Sequence, residues 1–561
     1  VTSEALNAEV VAALAEVQGL GPIEAATAAR IGVGAANAVR AVVASLSSSV
    51  FDTEPSAFAA ELERLADRWA PSELNSSTHA SRAPSVAAAA SSPLDLSLSE
   101  VALELTAGRI SSLELSRAAI ARAEALQPKL NCFIAIEPEH AEAAAKTADD
   151  ARSAGKVLGP LHGVPLAHKD MYYTAGRVTD CGSRARRGFV PQVTATPLQR
   201  MSDAGAVCIG RLNMTEFALG PTGHNAFWGD CRNPWNTAHI SAGSSSGSGA
   251  AVAARIVTAS LGSDTGGSTR LPACVNGLVG LKPTYTLISR FGSMGLSFSA
   301  DTPGPLARTA RDLALFLEVI AGNDPLDPTS CRAPAPRYHS ALMGDIRGMK
   351  IGVPANYFFD GVASDVGAAL DAALAVFRSL GAEIVGVRVP RAEHLSELSR
   401  ALVYSEATAL HAHELKTRPN DYSSQVRVRA STGLAIPAAA YLDALHIRPA
   451  LLREFVAETL GACDVLFAPT LTIPVPTLAE TGVGAGDSMW AVIAKLVHCT
   501  APFNYLGVPA LSVPAGFSRS GLPVGFQLIG RPFGEARLLA VADAYQLHTD
   551  WHLRAPPLLA R

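Results

Sequence analysis

From Ser241 to Arg270 the chain reads SAGSSSGSGAAVAARIVTASLGSDTGGSTR, two Gly/Ser-dense stretches around an apolar segment, Ala250 to Ala254 followed by Ile256 and Val257. No other stretch limits the fold so tightly. Glycine has no Cβ, so such loops take left-handed backbone angles and let another group approach the main chain closely. Two of them around one short element allow Ser244 and Ser268 to lie beside each other. The run Asp264-Thr265-Gly266-Gly267-Ser268 adds consecutive backbone N–H groups with little bulk over them. That is the requirement of an oxyanion hole: fixed donors aimed at the oxygen that turns negative during acyl transfer.

A serine hydroxyl is barely ionised at neutral pH and needs a base. Upstream, Gly163-Val-Pro-Leu-Ala-His-Lys-Asp170 is an apolar, strand-like run that ends in two candidate bases, His168 and Lys169. With these three stretches the sequence resembles the amidase signature family. The family's lysine motif matches Gly163–Asp170, its first Gly/Ser loop matches Ala242–Ser248, and its Gly-Ser-Asp-Thr-Gly-Gly-Ser matches Gly262–Ser268. Further landmarks are Asn213-Met-Thr-Glu-Phe217, Asn233-Pro-Trp235, Gly280-Leu-Lys-Pro-Thr284, Asp301-Thr-Pro-Gly-Pro305, Asn504–Pro509, Gly521–Gln527 and Gly530–Phe533. The likeness runs from about Leu94 to the C-terminus. Ala242, Ser246 and Gly249 depart from it, standing where the family usually has Gly, Gly and Ala.

The resemblance implies a base at Lys169, a bridging serine in a cis peptide at Ser244 and a nucleophile at Ser268. It gives His168 no role beyond packing. It also implies oxyanion donors among the N–H groups of Thr265, Gly266, Gly267 and Ser268, with Asp264 and Arg270 bracing that loop by pairing. Ala218 and Leu219 are the expected substrate contacts, and Phe227 and Trp228 either wall the pocket or pack in the core. A lysine acting as base must be buried. Moving its pKa from about 10.4 to about 7 costs roughly 4 to 5 kcal/mol. Competing readings of the loops are weaker. Gly243-Ser-Ser-Ser-Gly247 formally fits the G-x-S-x-G nucleophile elbow with Ser245 attacking, but the polar, Pro-containing stretch before it is not a buried strand. A phosphate-binding loop needs Lys-Ser/Thr after its glycines, and none follows.

Strand-like runs at Gly163–Ala167, Val207–Ile209, Lys350–Val353, Glu383–Val389, Val465–Phe467 and Ala510–Val513 alternate with helical stretches, which argues α/β layering. The family likeness makes this one large domain, residues 94–561, with a central mixed sheet covered by helices. Residues 1–70 are Ala-rich with helical spacing, as in Val10, Leu14 and Val17, and predict a small domain of about three helices. The break between the first two falls at Gly19-Leu-Gly-Pro22, and the third starts near Thr53-Glu-Pro55. Residues 71–93, rich in Ser, Ala and Pro, read as a linker. Docking, oligomer contact and pocket cover stay open as roles for the helices. They resemble loosely the small helical partner chains of some amidase signature enzymes, and a homodimer through them is one expectation.

Composition enters mainly by exclusion. A formal net charge of −4 gives no electrostatic case for nucleic acid or an anionic membrane. Eight scattered cysteines without C-x-x-C read as reduced thiols, and His411-Ala-His413-Glu414 lacks the spacing of a zinc helix, so neither metal nor cofactor is expected. No signal peptide or spanning run is read, and a cytoplasmic location follows as an expectation. The resulting reading is a metal-free hydrolase of small carboxylic amides working through an acyl-enzyme. The amidase component of a glutamine-dependent tRNA amidotransferase, a carbamate, urea-type or ester hydrolase with the same triad, and a catalytically silent binding protein stay open.

Overall fold

Three parallel strands that end at one edge of a sheet organise the protein. The computed structural model describes residues 7–46, 58–67, 92–332, 336–342 and 344–559. Within them, Pro165–Lys169 (β2) lies between Val207–Leu212 (β3) and Ala259–Asp264 (β4), parallel to both. All five residues of β2 are buried, which is why it opens on the apolar run Pro165-Leu-Ala167 rather than an alternation, with His168 and Lys169 buried at its end. Phe133–Ile136 (β1) pairs antiparallel with β3 at the outer edge. On the other side follow Thr302–Ala307 (β6), Val279–Lys282 (β5), Ala510–Phe517 (β10), Pro523–Ile529 (β11), Val465–Pro469 (β9), Lys350–Pro354 (β7) and Glu383–Val387 (β8). The whole is one mixed eleven-stranded sheet in the order β1-β3-β2-β4-β6-β5-β10-β11-β9-β7-β8, with helices packed over it.

Each expected strand-like run overlaps a strand, with Gly163–Val164 lying before β2 and Arg388–Val389 after β8. The additional ones are β1, β4, β5, β6 and β11. β4 carries Gly262 and Ser263, so the second Gly/Ser stretch begins inside a strand and becomes a loop only after Asp264. The sequence of β6, Thr-Pro-Gly-Pro-Leu-Ala, holds two residues that cannot donate to a ladder. Its ladder with β5 involves only Leu306 and Ala307. Pro303 and Pro305 therefore lie beyond that pairing, where their missing N–H groups break no ladder with β5.

An N-terminal helical region precedes this core. Ala8–Val17 (α1) is capped by the Asn7 side chain, which accepts from the Val10 N–H at 2.8 Å. Ala25–Ser45 (α2) packs on the helices Ala392–Thr417 and Ala438–Glu454 and buries small residues, among them Ala28, Gly34, Ala35 and Ala38. Small side chains bring the helix axes close, and the larger Ile31 and Val42 are buried as well, each contributing roughly 1.5–3 kcal/mol. Phe58–Arg64 (α3) packs Phe58 beneath the Arg448 guanidinium, 3.7 Å from ring centroid to Cζ. The expected start of the third helix near Thr53 and most of the expected linker, 71–91, lie outside the described residues. No helix among the described residues is long and apolar enough to cross a membrane.

Candidate active site

Because β2, β3 and β4 run parallel, their carboxyl ends share one edge of the sheet, where open α/β sheets gather ligands and reactive groups. Lys169 is the last residue of β2, the loop leaving β3 carries Glu216–Pro221, and the loop leaving β4 carries Thr265–Ser268. The first Gly/Ser stretch enters helix Ser246–Ala253 beside them. The Gly243–Ser244 peptide bond is cis.

Lys169 is fully buried, and its Nζ lies 2.6 Å from Ser244 Oγ and 2.8 Å from Ser263 Oγ. Burial pulls this amine from 10.5 down to about 7, against the opposing fields of Asp264 and Asp301. His168, the other candidate base, points its Nδ1 at the Lys169 carbonyl 3.1 Å away, and burial pushes it down to about 4. The Ser244 carbonyl accepts from the Thr215 N–H, and the Ser245 N–H donates to the Ser268 carbonyl at 3.3 Å, so the two Gly/Ser stretches lie against each other. Ser245 is occupied otherwise. Its hydroxyl donates to the Ser263 carbonyl at 3.2 Å and accepts from the Ser263 N–H at 3.1 Å, clasping β4 instead of facing a substrate.

Asp264 and Arg270 pair at 3.0 Å with both side chains fully buried. Burial alone would raise the Asp264 carboxyl, but the Arg270 guanidinium, helped by Asn504 and Lys282, holds it well below the usual carboxylate range. The carboxylate also receives the N–H groups of Gly267 (2.7 Å) and Thr269 (3.2 Å), while Arg270 reaches on to Gln527 and Asn504. Of the expected oxyanion donors, the Gly267 N–H is the one bonded to Asp264. Gly267 has φ +130°, and a Cβ there would stand 2.3 Å from Thr500 Oγ1, so the turn requires glycine. Over Gly266 the space is open.

Ser268, Thr265 and Gly266 line a cavity of about 70 Å³ together with Ala218 and Leu219, the two expected substrate contacts. Phe227 and Trp228 are not among its lining residues. Their N–H groups bond to Asn225 Oδ1, and Arg184 sits over the Phe227 ring. The far wall went unread in the sequence: Arg400, Tyr404 and Arg429 face the same cavity from helices Ala392–Thr417 and Ser424–Ala430. Arg429 gives Nη2 to the Tyr404 hydroxyl at 3.2 Å, while its buried Nη1 has no hydrogen-bond partner and lies near Gly220. Arg400 directs one nitrogen at Glu397. Ser263 was also missed, being a small residue inside a Gly/Ser run with no pattern of its own. The His411–Glu414 cluster does not gather: His411 is buried against the Tyr422 hydroxyl while His413 is exposed. Among the described residues no three His, Cys, Asp or Glu side chains come together as a metal site.

Known proteins resemble this chain over most of its length. The A-type subunit of glutamyl-tRNA(Gln) amidotransferase from Chloroflexus aggregans is 42% identical over 486 residues, 82% of this chain and 98% of the relative. The protein of the same name from Geobacter metallireducens is 39% identical over 481 residues, again 82% and 98%. Among solved structures, a chain from a vestigial protein complex described for the origins of an s-triazine catabolic enzyme superposes with TM-score 0.75 at 34% identity, covering 81% of this chain and 98% of that one. A peptide amidase bound to the competitive inhibitor chymostatin gives TM-score 0.72 at 31% identity, covering 82% and 98%. The Amidase family pattern itself matches residues 114–539, a span that holds every group of the cavity described above. With the lysine strand, both Gly/Ser loops and the sheet that joins them inside that span, the chain belongs to the amidase signature family of amide-cleaving enzymes.

Proposed function

We propose that this protein hydrolyses the C–N bond of small amides whose acyl part carries a carboxylate, through an acyl-enzyme on Ser268. The observation that carries the chemistry is the buried Lys169 amine, brought down to about 7 and touching Ser244 Oγ at 2.6 Å. As a neutral amine it donates N–H to Ser263 and accepts the Ser244 proton on its lone pair. Ser244 in turn takes the proton of Ser268, whose Oγ adds to the amide carbon. The N–H groups of Thr265, Gly266 and Ser268 receive the oxyanion, and Asp264 with Arg270 keeps their loop in shape without touching the reacting atoms. The proton then returns through Ser244 to the leaving nitrogen, the C–N bond breaks, and an ester to Ser268 remains. Water, deprotonated by the same route, cleaves that ester.

The acyl class follows from Arg429. A buried guanidinium nitrogen without a partner is costly, and a carboxylate in the cavity supplies the missing acceptor. A second reading is the one that the similarities to known proteins support better than the first, through the 39–42% identity to the glutamyl-tRNA(Gln) amidotransferase relatives. There the same cleavage acts on glutamine, itself a carboxylate-bearing amide, and the ammonia passes to partner proteins. Ammonia release by the purified chain separates the two, measured on a panel of primary amides with and without a carboxylate, glutamine included. Multiple turnovers by the chain alone, faster on the acids, support the free-standing hydrolase. Turnover of glutamine only, and only with the other amidotransferase components added, supports the second reading. Equal rates on acidic and neutral amides remove Arg429 from the account.

A further inference from the structure

Helix α2 lies outside the span that matches the family, yet it stands two side chains away from the cavity. Its Gly34 leaves room for the Trp490 ring: a Cβ at that position would sit 2.6 Å from Trp490 Cζ2. The Trp490 indole N–H donates to the α2 backbone at the Arg30 carbonyl, 2.8 Å away. The same ring meets Tyr404 edge-on at 5.5 Å between centroids, and the Arg400 guanidinium lies 5.7 Å from it. Tyr404 is buried, and its hydroxyl holds Arg429. Tyr404, Arg400 and Arg429 all line the cavity that contains Ser268.

We infer that α2 is a built-in brace for the arginine wall, positioning Arg429 through Trp490 and Tyr404. Arg429 keeps Nη1 without a partner, so no acceptor of its own fixes that edge of the guanidinium. Its aim depends on Tyr404, whose ring is held by packing against Trp490, and Trp490 is held by a hydrogen bond to the backbone of α2. Dense packing transmits such constraints because a displaced ring leaves its neighbour unsupported. Trp490 and Gly34 are positioning residues. Neither reaches the reacting atoms, so the brace governs how a substrate is held, not how its bond is cut. The substrate consequence rests on the proposed role of Arg429 as a carboxylate anchor.

The test is a double-mutant cycle between Gly34→Leu and Arg429→Met in the full chain. Gly34 sits in a helix at ordinary angles, so Leu there suits the helix; its closest collision is with Trp490, and it also crowds the Thr432 methyl. On a primary amide with a terminal carboxylate, Gly34→Leu is expected to raise KM about tenfold with kcat within about twofold, the signature of lost uniform binding. In the Arg429→Met background the same substitution is expected to change KM by less than about twofold, because residues acting through one partner are not additive. The pH limb of kcat/KM stays in place throughout. Additive effects of the two substitutions, or an unchanged KM in Gly34→Leu, overturn the brace. If Gly34→Leu fails to melt cooperatively, Trp490→Phe, which removes the bond to Arg30 and shrinks the ring between α2 and Tyr404, is read by the same cycle. The anchor is judged separately: if Arg429→Met slows acidic and neutral amides alike, the carboxylate reading falls while the cycle still decides whether α2 acts through Arg429.

Discussion

The two sides of the cavity are built in opposite ways. The side bearing Lys169, Ser244, Ser263 and Ser268 hangs from adjacent parallel strands and two loops, and its charged groups are satisfied from within: lysine by two serines, Asp264 by Arg270 and backbone N–H groups. The side bearing Arg400, Tyr404 and Arg429 hangs from helices whose position depends on Trp490 and, behind it, on α2. It also keeps a buried cationic nitrogen unpaired. A self-satisfied cluster is suited to chemistry that must not vary, whereas an unsatisfied wall is suited to a ligand that completes it. Changes on the first side are therefore expected to reach kcat and changes on the second to reach KM.

The largest expected effect is Ser268→Ala. Removing the attacking oxygen should cost at least about 10⁴-fold in kcat, since residues of a nucleophilic unit fail together. Circular dichroism and the melting temperature should stay near the parent's, because Ala fits the loop. Ser244→Ala, which cuts the relay, should fall close behind. Activity within tenfold of the parent in either variant would dissolve the distinction between the two sides.

Next comes the base. Lys169 must be neutral to accept a proton, and lysine is charged below its pKa, so kcat/KM should rise with pH through about 7 and level off above it. A His168 base would put the limb near about 4, where burial places that ring. Lys169→Ala should lower the rate by about 10²–10⁴-fold and flatten the limb. Lys169→Arg should not rescue, because a guanidinium stays protonated. His168→Ala should leave the limb where it is, and a limb that moved with His168 would reassign the base.

Arg429→Met should act on the other side of the comparison. Loss of a charge-assisted hydrogen bond worth about 1.5–3 kcal/mol should raise KM for acidic amides by roughly 10- to 150-fold and leave neutral amides nearly unchanged. A fall in kcat with an unchanged KM would place this arginine in the chemistry. Ser263→Ala should be the mildest. It removes one of the two hydroxyls around Nζ, and a loss of about five- to tenfold in kcat, with a small shift of the pH limb, is expected.

The same contrast explains what was legible in the sequence. Lys169, Ser244 and Ser268 stand out because their geometry needs glycines and small residues nearby, and that need is written locally on both Gly/Ser stretches. The parallel strand β2 shows as an apolar run because it is buried on both faces. β4 and β6 did not show, since Gly, Ser and Pro read as breakers and only pairing with neighbours makes them strands. Ser263 hid within β4 for the same reason. Arg429, Tyr404 and Trp490 carry no mark at all. Each sits on a helix where Arg, Tyr and Trp are ordinary, and only tertiary packing brings them to Ser268. The commitment of the Gly267 N–H to Asp264 was likewise invisible, being a matter of which way one carboxylate points.

The central claim is that Ser268 carries the acyl group. Its most direct test is to treat the full-length protein with an active-site-directed fluorophosphonate and locate the adduct by peptide mass spectrometry across the pH limb. The account predicts one adduct, on Ser268, forming faster as pH rises through about 7 and absent from Ser268→Ala. An adduct on Ser245 or Ser244, or labelling that persists in Ser268→Ala, would contradict it.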